Sequence, residues 1–154
     1  MAEIGVLTGS IKPTEFNLKL LDKSVGNGAF IKVRHPIYGW VLGRLDGLKT
    51  YLDDFDESAV QAHAYTIGYY DGNKVMSPKT PFNPSEKVYE ADKKLIAEVL
   101  GLKQRKTNSI YLGFLESHDI PVYLDIDKTI GKHMSVLAKT GAGKSYAVAV
   151  VLEE

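Results

Sequence analysis

The stretch AFIKVRHPIYGWVLGRL, residues 29–45, contains two apolar or alternating runs on either side of a His-Pro pair. Runs of this length that end at turn residues predict β-strands, and proline interrupts a strand because it has no N–H for the backbone ladder. We therefore predict two strands, at residues 29–34 and 38–45, with a turn between them.

Similar runs lie on both sides of this stretch, at residues 4–8, 15–21, 62–70, 109–115 and 121–126. The run at 62–70 is followed by Asp71-Gly72-Asn73, a strong hairpin-type turn sequence. The runs at 109–115 and 121–126 could complete the same sheet. Short strands in this order predict a mainly β fold, a small closed or partly open β-barrel or a sandwich.

The first domain also contains one predicted helix. Asn83 can be its N-cap, Pro84 suits the first helical position, and Glu86 can complete a capping box. An apolar stripe at helical spacing follows, and Gly101 suits a left-handed C-terminal cap. The stripe consists of Val88, Ala91, Leu95, Ile96, Val99 and Leu100. We predict that this helix packs against the barrel.

The length of 154 residues suits one ordinary domain and part of a second. We place the boundary near Asp127, with the N-terminal β-barrel domain at residues 1–127 and the start of an incomplete domain at residues 128–154. No run is long and apolar enough to cross a bilayer, and the N-terminus does not resemble a secretory signal. We expect a cytoplasmic protein with no membrane association.

The charge balance gives no indication that this chain binds nucleic acid. Lysine plus arginine and aspartate plus glutamate number 19 each, so the formal net charge is zero. A domain that grips DNA usually presents a basic stripe, because phosphate contacts supply most non-specific affinity. We expect DNA contacts mainly outside these residues. The absence of cysteine excludes disulfides and thiolate chemistry.

The motif with the clearest chemistry is Ala138-Lys139-Thr140-Gly141-Ala142-Gly143-Lys144-Ser145. Apolar runs at residues 134–138 and 146–152 flank it, which predicts a strand, a phosphate-binding loop and a buried helix. In such a loop, backbone N–H groups surround the β-phosphate of a nucleotide, and the helix N-terminus adds a favourable dipole. The motif predicts that the longer protein to which this chain belongs binds ATP with Mg²⁺.

Each part of the loop has a predicted role. Gly141 and Gly143 let the backbone turn tightly beside the phosphates. Lys144 is expected to reach the β- and γ-phosphates, and the Ser145 hydroxyl is expected to ligate Mg²⁺ through the nucleotide complex. The N–H of Tyr146 could donate to the α-phosphate. The predicted nucleotide-binding residues are Thr140, Gly141, Ala142, Gly143, Lys144, Ser145 and Tyr146.

Hydrolysis of ATP requires groups beyond this loop. They include an acidic residue on a later strand for Mg²⁺, a group that orients water and commonly an arginine from a neighbouring subunit. We therefore expect residues 128–154 to be the start of an incomplete RecA-like α/β P-loop ATPase domain. This chain should then be the front part of a longer ATPase and be inactive alone. Nucleotide should bind weakly, because the loop lacks the parallel sheet that normally supports it.

Four other groups of residues favour structural roles. Residues 53–58 form the densest acidic cluster, but the segment lacks the glycine at the sixth position of a calcium loop and the glutamate at its twelfth. The histidines have no zinc-type spacing, and short basic turns and aromatic strand residues are usually solvated or packed. These residues are His35, His63, His118 and His133; Lys103, Arg105, Lys106, Lys128 and Lys132; and Tyr38, Trp40, Tyr65, Tyr69 and Tyr70.

The order of these parts resembles the HerA family of archaeal hexameric DNA translocases and helicases. The resemblance spans nearly the whole chain, and its most specific part is the junction that leads into the loop. It is carried by IGVLTGS at residues 4–10, YLGFL at 111–115, IPVYL at 120–124, HMSVL at 133–137 and GAGKS at 141–145. Ala138 and Ala142 depart from the glycine and the small polar residue usual in the family.

This resemblance implies that the N-terminal domain is the barrel shared with rotary ATP synthase subunits. It further implies an ATP-dependent DNA translocase that acts in DNA-end resection, with a barrel that helps to form the hexamer and docks the nuclease NurA. Two alternatives stay open. One is a rotary ATP synthase-type subunit, in which the interval between barrel and loop should be much longer. The other is a stand-alone protein-binding module.

Overall fold

A computed structural model describes residues 2–52, 58–102, 108–116, 118–129, 135–137 and 139–153. The chain divides into two compact units, Met1–Leu100 and Gly101–Glu154. Within the described residues, no helix is long and apolar enough to span a bilayer.

The first unit is a barrel of antiparallel strands with one helix. The strands are β1 Glu3–Ile11, β2 Glu15–Leu20, β3 Phe30–His35, β4 Gly39–Leu52, β5 Ser58–Tyr70, β6 Val75–Met76 and β7 Lys87–Glu90, and the helix is α1 Lys93–Leu100. The strand order is β2-β1-β7-β3-β4-β5-β6, and β2 also pairs with β5. This additional pairing closes six strands into a ring, to which β6 adds a short hairpin. The predicted mainly β barrel with a packed helix is confirmed.

Alternation along the strands places the apolar side chains inside the barrel. In β2, Phe16, Leu18 and Leu20 are buried, whereas the residues between them are exposed or half-buried. Strand side chains point to opposite faces in turn, so one face of each strand can meet the interior. The buried cluster also contains Ile4, Leu7, Ile31, Val33, Val41, Leu45, Ala62, Ala64, Phe82 and Val88.

The β5–β6 hairpin turns at the predicted Asp71-Gly72-Asn73 sequence. The Oδ1 atom of Asp71 accepts the N–H groups of Asn73 and Lys74, each at 2.8 Å. These bonds, first the one from Lys74, hold the pKa of Asp71 below its ordinary value. The side chain therefore fixes the turn that the sequence predicted.

The helix begins later than predicted, and the N-cap predicted at Asn83 is wrong. Residues 87–90 form β7, which pairs with β1 on one side and with β3 on the other. Ser85, just before β7, has a φ of 60°, an angle that no right-handed helix contains. Without β7, the facing edges of β1 and β3 would lack hydrogen-bond partners, so closure of the barrel overrides the local capping pattern.

Helix α1 starts instead after Asp92. The Oδ1 atom of Asp92 accepts the N–H of Leu95 at 3.0 Å, which is the bond of a helix N-cap. The helix contacts β4 and β5, with Ile96 and Val99 buried. Gly101 follows with a φ of 67°. The predicted packing on the barrel and the predicted C-terminal cap are confirmed.

The second unit contains β8 Ser109–Phe114, β9 Pro121–Asp125, α2 Ile126–Thr129 and α3 Lys144–Glu153. Strands β8 and β9 pair with each other in a two-stranded antiparallel sheet. The two strands are confirmed, but the expectation that they complete the barrel sheet is wrong, because the barrel closes through β2 and β5. The domain boundary near Asp127 stays a prediction.

Candidate nucleotide-binding loop

The candidate loop turns directly into helix α3. Gly141 and Gly143 have φ angles of 82° and 79°, in the left-handed region that glycine enters without strain. The N–H of Ala142 donates to the carbonyl of Lys139 at 3.1 Å, and the N–H of Ala147 donates to the carbonyl of Gly143 at 3.0 Å. The first bond closes a turn and the second opens the helix.

The first turn of α3 carries the side chains with the predicted phosphate chemistry. The helix begins at Lys144, and Lys144, Ser145 and Tyr146 are all exposed. The N–H groups of a helix's first turn have no intrahelical partner, and they form the positive end of its dipole. An ammonium, a hydroxyl and this helix end thus share one exposed turn, which suits a phosphate group with its Mg²⁺.

The loop fits a nucleotide in residue type, with one difference. A β-carbon built on Gly141 or Gly143 meets no heavy atom within 4 Å, so the backbone angle rather than crowding within the chain requires glycine there. The N–H of Ala142, however, already donates to Lys139. It would have to leave that carbonyl to join a set of phosphate-binding donors.

The secondary structure around the loop agrees only in part with the prediction. Residues 135–137 have no regular secondary structure, so the described part of the predicted strand is not formed. Met134 and Ala138 lie outside the described residues. A strand requires a neighbour for its hydrogen bonds, and no described strand pairs with 135–137. The predicted helix is confirmed, but residues 144–150 are exposed or half-buried rather than buried.

His35 and the aromatic side chains beside it are engaged with one another. The Nδ1 atom of His35 accepts the N–H of Ile37 at 3.1 Å, while Nε2 lies 3.1 Å from the carbonyl of Thr80. The ring packs on Tyr38, which in turn stacks on Tyr69 with centroids 4.8 Å apart. These contacts favour the structural role predicted for His35, Tyr38 and Tyr69.

The other histidine and charged candidates lie partly outside the described residues. His63 lies edge-on to Tyr65, with its Nε2 atom 3.7 Å from a carboxylate oxygen of Glu15. Among the described residues, no group of three or more histidine, aspartate or glutamate side chains could hold a metal ion. The acidic residues 53–57 lie outside the described residues, as do Lys103, Arg105, Lys106, Lys132 and His133.

Sequence reasoning missed an ion pair on the barrel between a buried lysine and a half-exposed aspartate. The side chain of Lys32 is only 4% exposed, and its Nζ atom lies 2.5 Å from Oδ2 of Asp92 and 5.1 Å from the ring centroid of Trp40. The hydrogen bond from Lys32, followed by that from the N–H of Leu95, lowers the pKa of Asp92. The available signal was Lys32 between two apolar strand residues, Ile31 and Val33.

A closed β-barrel followed by a glycine-rich loop and a helix is thus the arrangement of this chain. Comparison with known families gives a match to the family described as Helicase HerA, central domain, over residues 110–154. That range begins in β8 and includes the whole candidate loop.

Individual relatives extend the similarity to the barrel. The Probable DNA double-strand break repair helicase HerA of Methanocaldococcus jannaschii is 27% identical over 149 residues, 96% of this chain and 28% of that protein. The DNA double-strand break repair helicase HerA of Pyrococcus furiosus is 28% identical over 138 residues, 86% of this chain and 24% of that protein. The Probable helicase MJ1565 of M. jannaschii is 36% identical over 77 residues, 50% of this chain and 14% of that protein.

These comparisons confirm the predicted resemblance. The chain is similar to HerA helicases across both its barrel and its loop. It spans about a quarter of the length of the two HerA relatives that it matches.

Proposed function

We propose that this chain is the N-terminal part of an ATP-dependent DNA helicase or translocase of the HerA type. The observation that carries the proposal is the coincidence of two findings on the same residues. The sequence GAGKS leads into α3 with both glycines at positive φ, and the similarity to the HerA central domain covers the same residues.

In the proposed complex, ATP lies against the loop and the first turn of α3. Lys144 neutralises the β- and γ-phosphates, Ser145 holds the accompanying Mg²⁺, and backbone N–H groups from Thr140 to Tyr146 surround the phosphates. The nucleotide supplies the phosphoanhydride bond whose hydrolysis drives movement. This chain supplies binding and orientation of the phosphates, and residues elsewhere in the longer protein supply the groups that activate water.

The barrel has a different part in the proposal. The barrel has a closed sheet and a filled interior, and the sequence contains no excess of basic residues for DNA. We propose that it supports a homo-hexamer and docks the nuclease NurA for DNA-end resection, while DNA contacts lie mainly outside these 154 residues. Co-elution of the chain with the cognate nuclease tests the docking role. Loss of co-elution, with a full-length positive control, contradicts it.

The nucleotide role is tested by alanine substitutions in the full-length protein. We expect Lys144→Ala to lower DNA-stimulated ATP hydrolysis by about 100-fold or more, because it removes a charge directed at the reacting phosphates. Lys139→Ala removes a charge from the same exposed loop and should change the rate by less than about twofold. Equal losses in both variants would contradict the assigned roles.

The same reasoning predicts that the 154-residue chain alone does not hydrolyse ATP. Its rate should equal that of the Lys144→Ala version of the chain and that of a blank. A Lys144-dependent turnover by the 154 residues would show that the remaining catalytic groups lie within them.

A further inference from the structure

Strand β4 leaves part of one edge without a partner strand. Residues 39–44 pair with β3, whereas residues 47–52 pair only with β5, on the other side. The irregularity between Leu45 and Gly47 marks the point where β4 leaves β3. In the part of the chain that the structure describes, no strand covers the outer side of 47–52, which we call the β4 edge. Such an edge presents backbone N–H and C=O groups that can bind another strand.

The β4 edge exposes three large apolar side chains. Leu48, Tyr51 and Leu52 are 37%, 42% and 67% exposed, and Lys49 and Thr50 between them are also exposed. Natural proteins usually protect a free edge with several charges, a proline or a covering segment. Lys49 is the single charged residue of this edge and it contains no proline, so its composition permits pairing.

We propose that the β4 edge pairs in antiparallel fashion with the β4 edge of a second copy of this chain. A two-fold axis perpendicular to the joined sheet passes midway between the two copies of one residue, so this central residue defines the register. With Thr50 at the centre, Leu48 of each copy stands opposite Leu52 of the other, and Lys49 stands opposite Tyr51.

The neighbouring registers are less favourable. A pair centred on Lys49 places two ammonium groups directly opposite each other, which destabilises a sheet. A pair centred on Tyr51 leaves Leu48 beyond the end of the second β4, which ends at Leu52. The side chains therefore select the register centred on Thr50.

This register makes the side chains of both faces complementary. Because side chains alternate along a strand, Leu48, Thr50 and Leu52 share one face, and pairing forms two Leu48–Leu52 contacts, one on each side of the central Thr50 pair. On the other face, each Lys49 meets a Tyr51 ring, a favourable pairing of a cation with an aromatic face. In this register the edge therefore pairs apolar side chains with apolar ones and each cation with an aromatic ring.

The contact does not depend on the proposed ATPase role. It uses only the barrel, and it holds whether or not the chain belongs to an ATP-driven helicase. A ring with rotational symmetry alone joins two different surfaces of each subunit. The two-fold contact is therefore separate from the ring contacts of the proposed hexamer.

Replacement of the edge leucines by charged residues tests the proposal. Sedimentation of the 154-residue chain measures whether it dimerises. We expect the unmodified chain to dimerise at micromolar concentration. L48K/L52K and L48E/L52E should each weaken dimerisation at least about tenfold, because the introduced charges face others of the same sign. Mixing the two variants should restore a dimer, because opposite charges then face each other.

A matched control uses exposed apolar residues away from the edge. Leu21 and Ile37 are 56% and 68% exposed, and L21K/I37K should dimerise as the unmodified chain does. A chain that is monomeric up to about millimolar concentration overturns the proposal, whether or not the edge binds a strand of another protein. Dimerisation that survives in both edge variants also overturns it.

Cysteine cross-linking tests the register, because the chain contains no native cysteine. Under mild oxidation, T50C should form a disulfide-linked dimer, since the two residues stand directly opposite each other across the two-fold axis. K49C is the control, because its thiols would be diagonal to each other and should link at least about tenfold more slowly. Equal or faster linking of K49C overturns the register centred on Thr50.

Discussion

Lys32 occupies a strand of the barrel where every neighbour along the chain from Phe30 to Val33 is buried. Burial of an ammonium group is costly unless a partner replaces its lost hydration. Asp92 is that partner, and Trp40 presents its ring to the same group. Since Asp92 also caps α1 through Leu95, one carboxylate joins the helix start to the strand.

Substitutions at Asp92 should separate these two roles. We expect Asp92→Ala to lower the free energy of unfolding by about 1–2 kcal/mol, because both the cap and the charge partner are lost. Asp92→Asn retains a capping oxygen and should cost roughly half as much. Urea unfolding measures both. An equal loss of unfolding free energy in Asp92→Ala and Asp92→Asn would mean that the cap contributes nothing. Asp46→Asn, at an exposed position, is the control.

The lowered pKa of Asp92 predicts a pH dependence with a definite sign. A carboxylate whose pKa is lower in the folded state stabilises the fold above its ordinary value, near 3.8, and this contribution disappears as the pH falls through the lowered value. The stability difference between the native chain and Asp92→Asn should therefore be full at pH 6 and shrink toward pH 2. A difference that stays constant over this range would contradict the prediction.

At the scale of elements, β7 and α1 show where sequence reasoning succeeds and where it fails. The strands at residues 4–8 and 15–21 were predictable because alternation is a local property of the chain. Val88 fits a helical stripe and a strand equally well, and the choice between them depends on β1 and β3, which lie far away in sequence. Lys32 and Asp92, 60 residues apart, pair for an equally non-local reason.

In the candidate loop, too, one part was predictable from the sequence and another was not. Gly141 and Gly143 adopt the positive φ that the motif predicts, and the helix follows at Lys144. The preceding strand depends on neighbouring strands of a sheet, and no described strand pairs with residues 135–137. The local chemistry of the loop was therefore predictable from the sequence, whereas the structure that supports it was not.

Ser85 provides a test of the boundary between β7 and the predicted helix. Its φ of 60° is costly for a residue with a β-carbon, so Ser85→Gly should stabilise the fold by up to about 1 kcal/mol. In a helix that began at Pro84, the same substitution would destabilise by a similar amount. Ser85→Ala is the matched control and should give no stabilisation, because alanine retains the β-carbon. Thermal and urea unfolding give the sign.

At the scale of the whole molecule, the interactions that stabilise the barrel lie within the first unit. Its ring of strands closes within Met1–Leu100, and the buried cluster inside it comes entirely from that unit. We predict that residues 1–101 fold alone, with a Tm within about 4 °C of that of the 154-residue chain, a shift equivalent to about 1 kcal/mol.

Calorimetry of three lengths, 1–101, 1–127 and 1–154, provides the measurement. Residues 1–127 should be no more stable than residues 1–101 if β8 and β9 add nothing to the barrel. A barrel that unfolds without residues 102–127 would instead support the domain boundary predicted near Asp127.

The position of β7 also governs when the barrel can form during synthesis. Among the strands of the ring, β1 is made before the others, yet it pairs with β7, the last of them to be made. Until residue 90 emerges, the edges of β1 and β3 that β7 will join remain open, and open edges of nascent sheets invite aggregation. Folding of this unit therefore waits for its final strand, and chaperones that shield nascent chains should matter most in that interval.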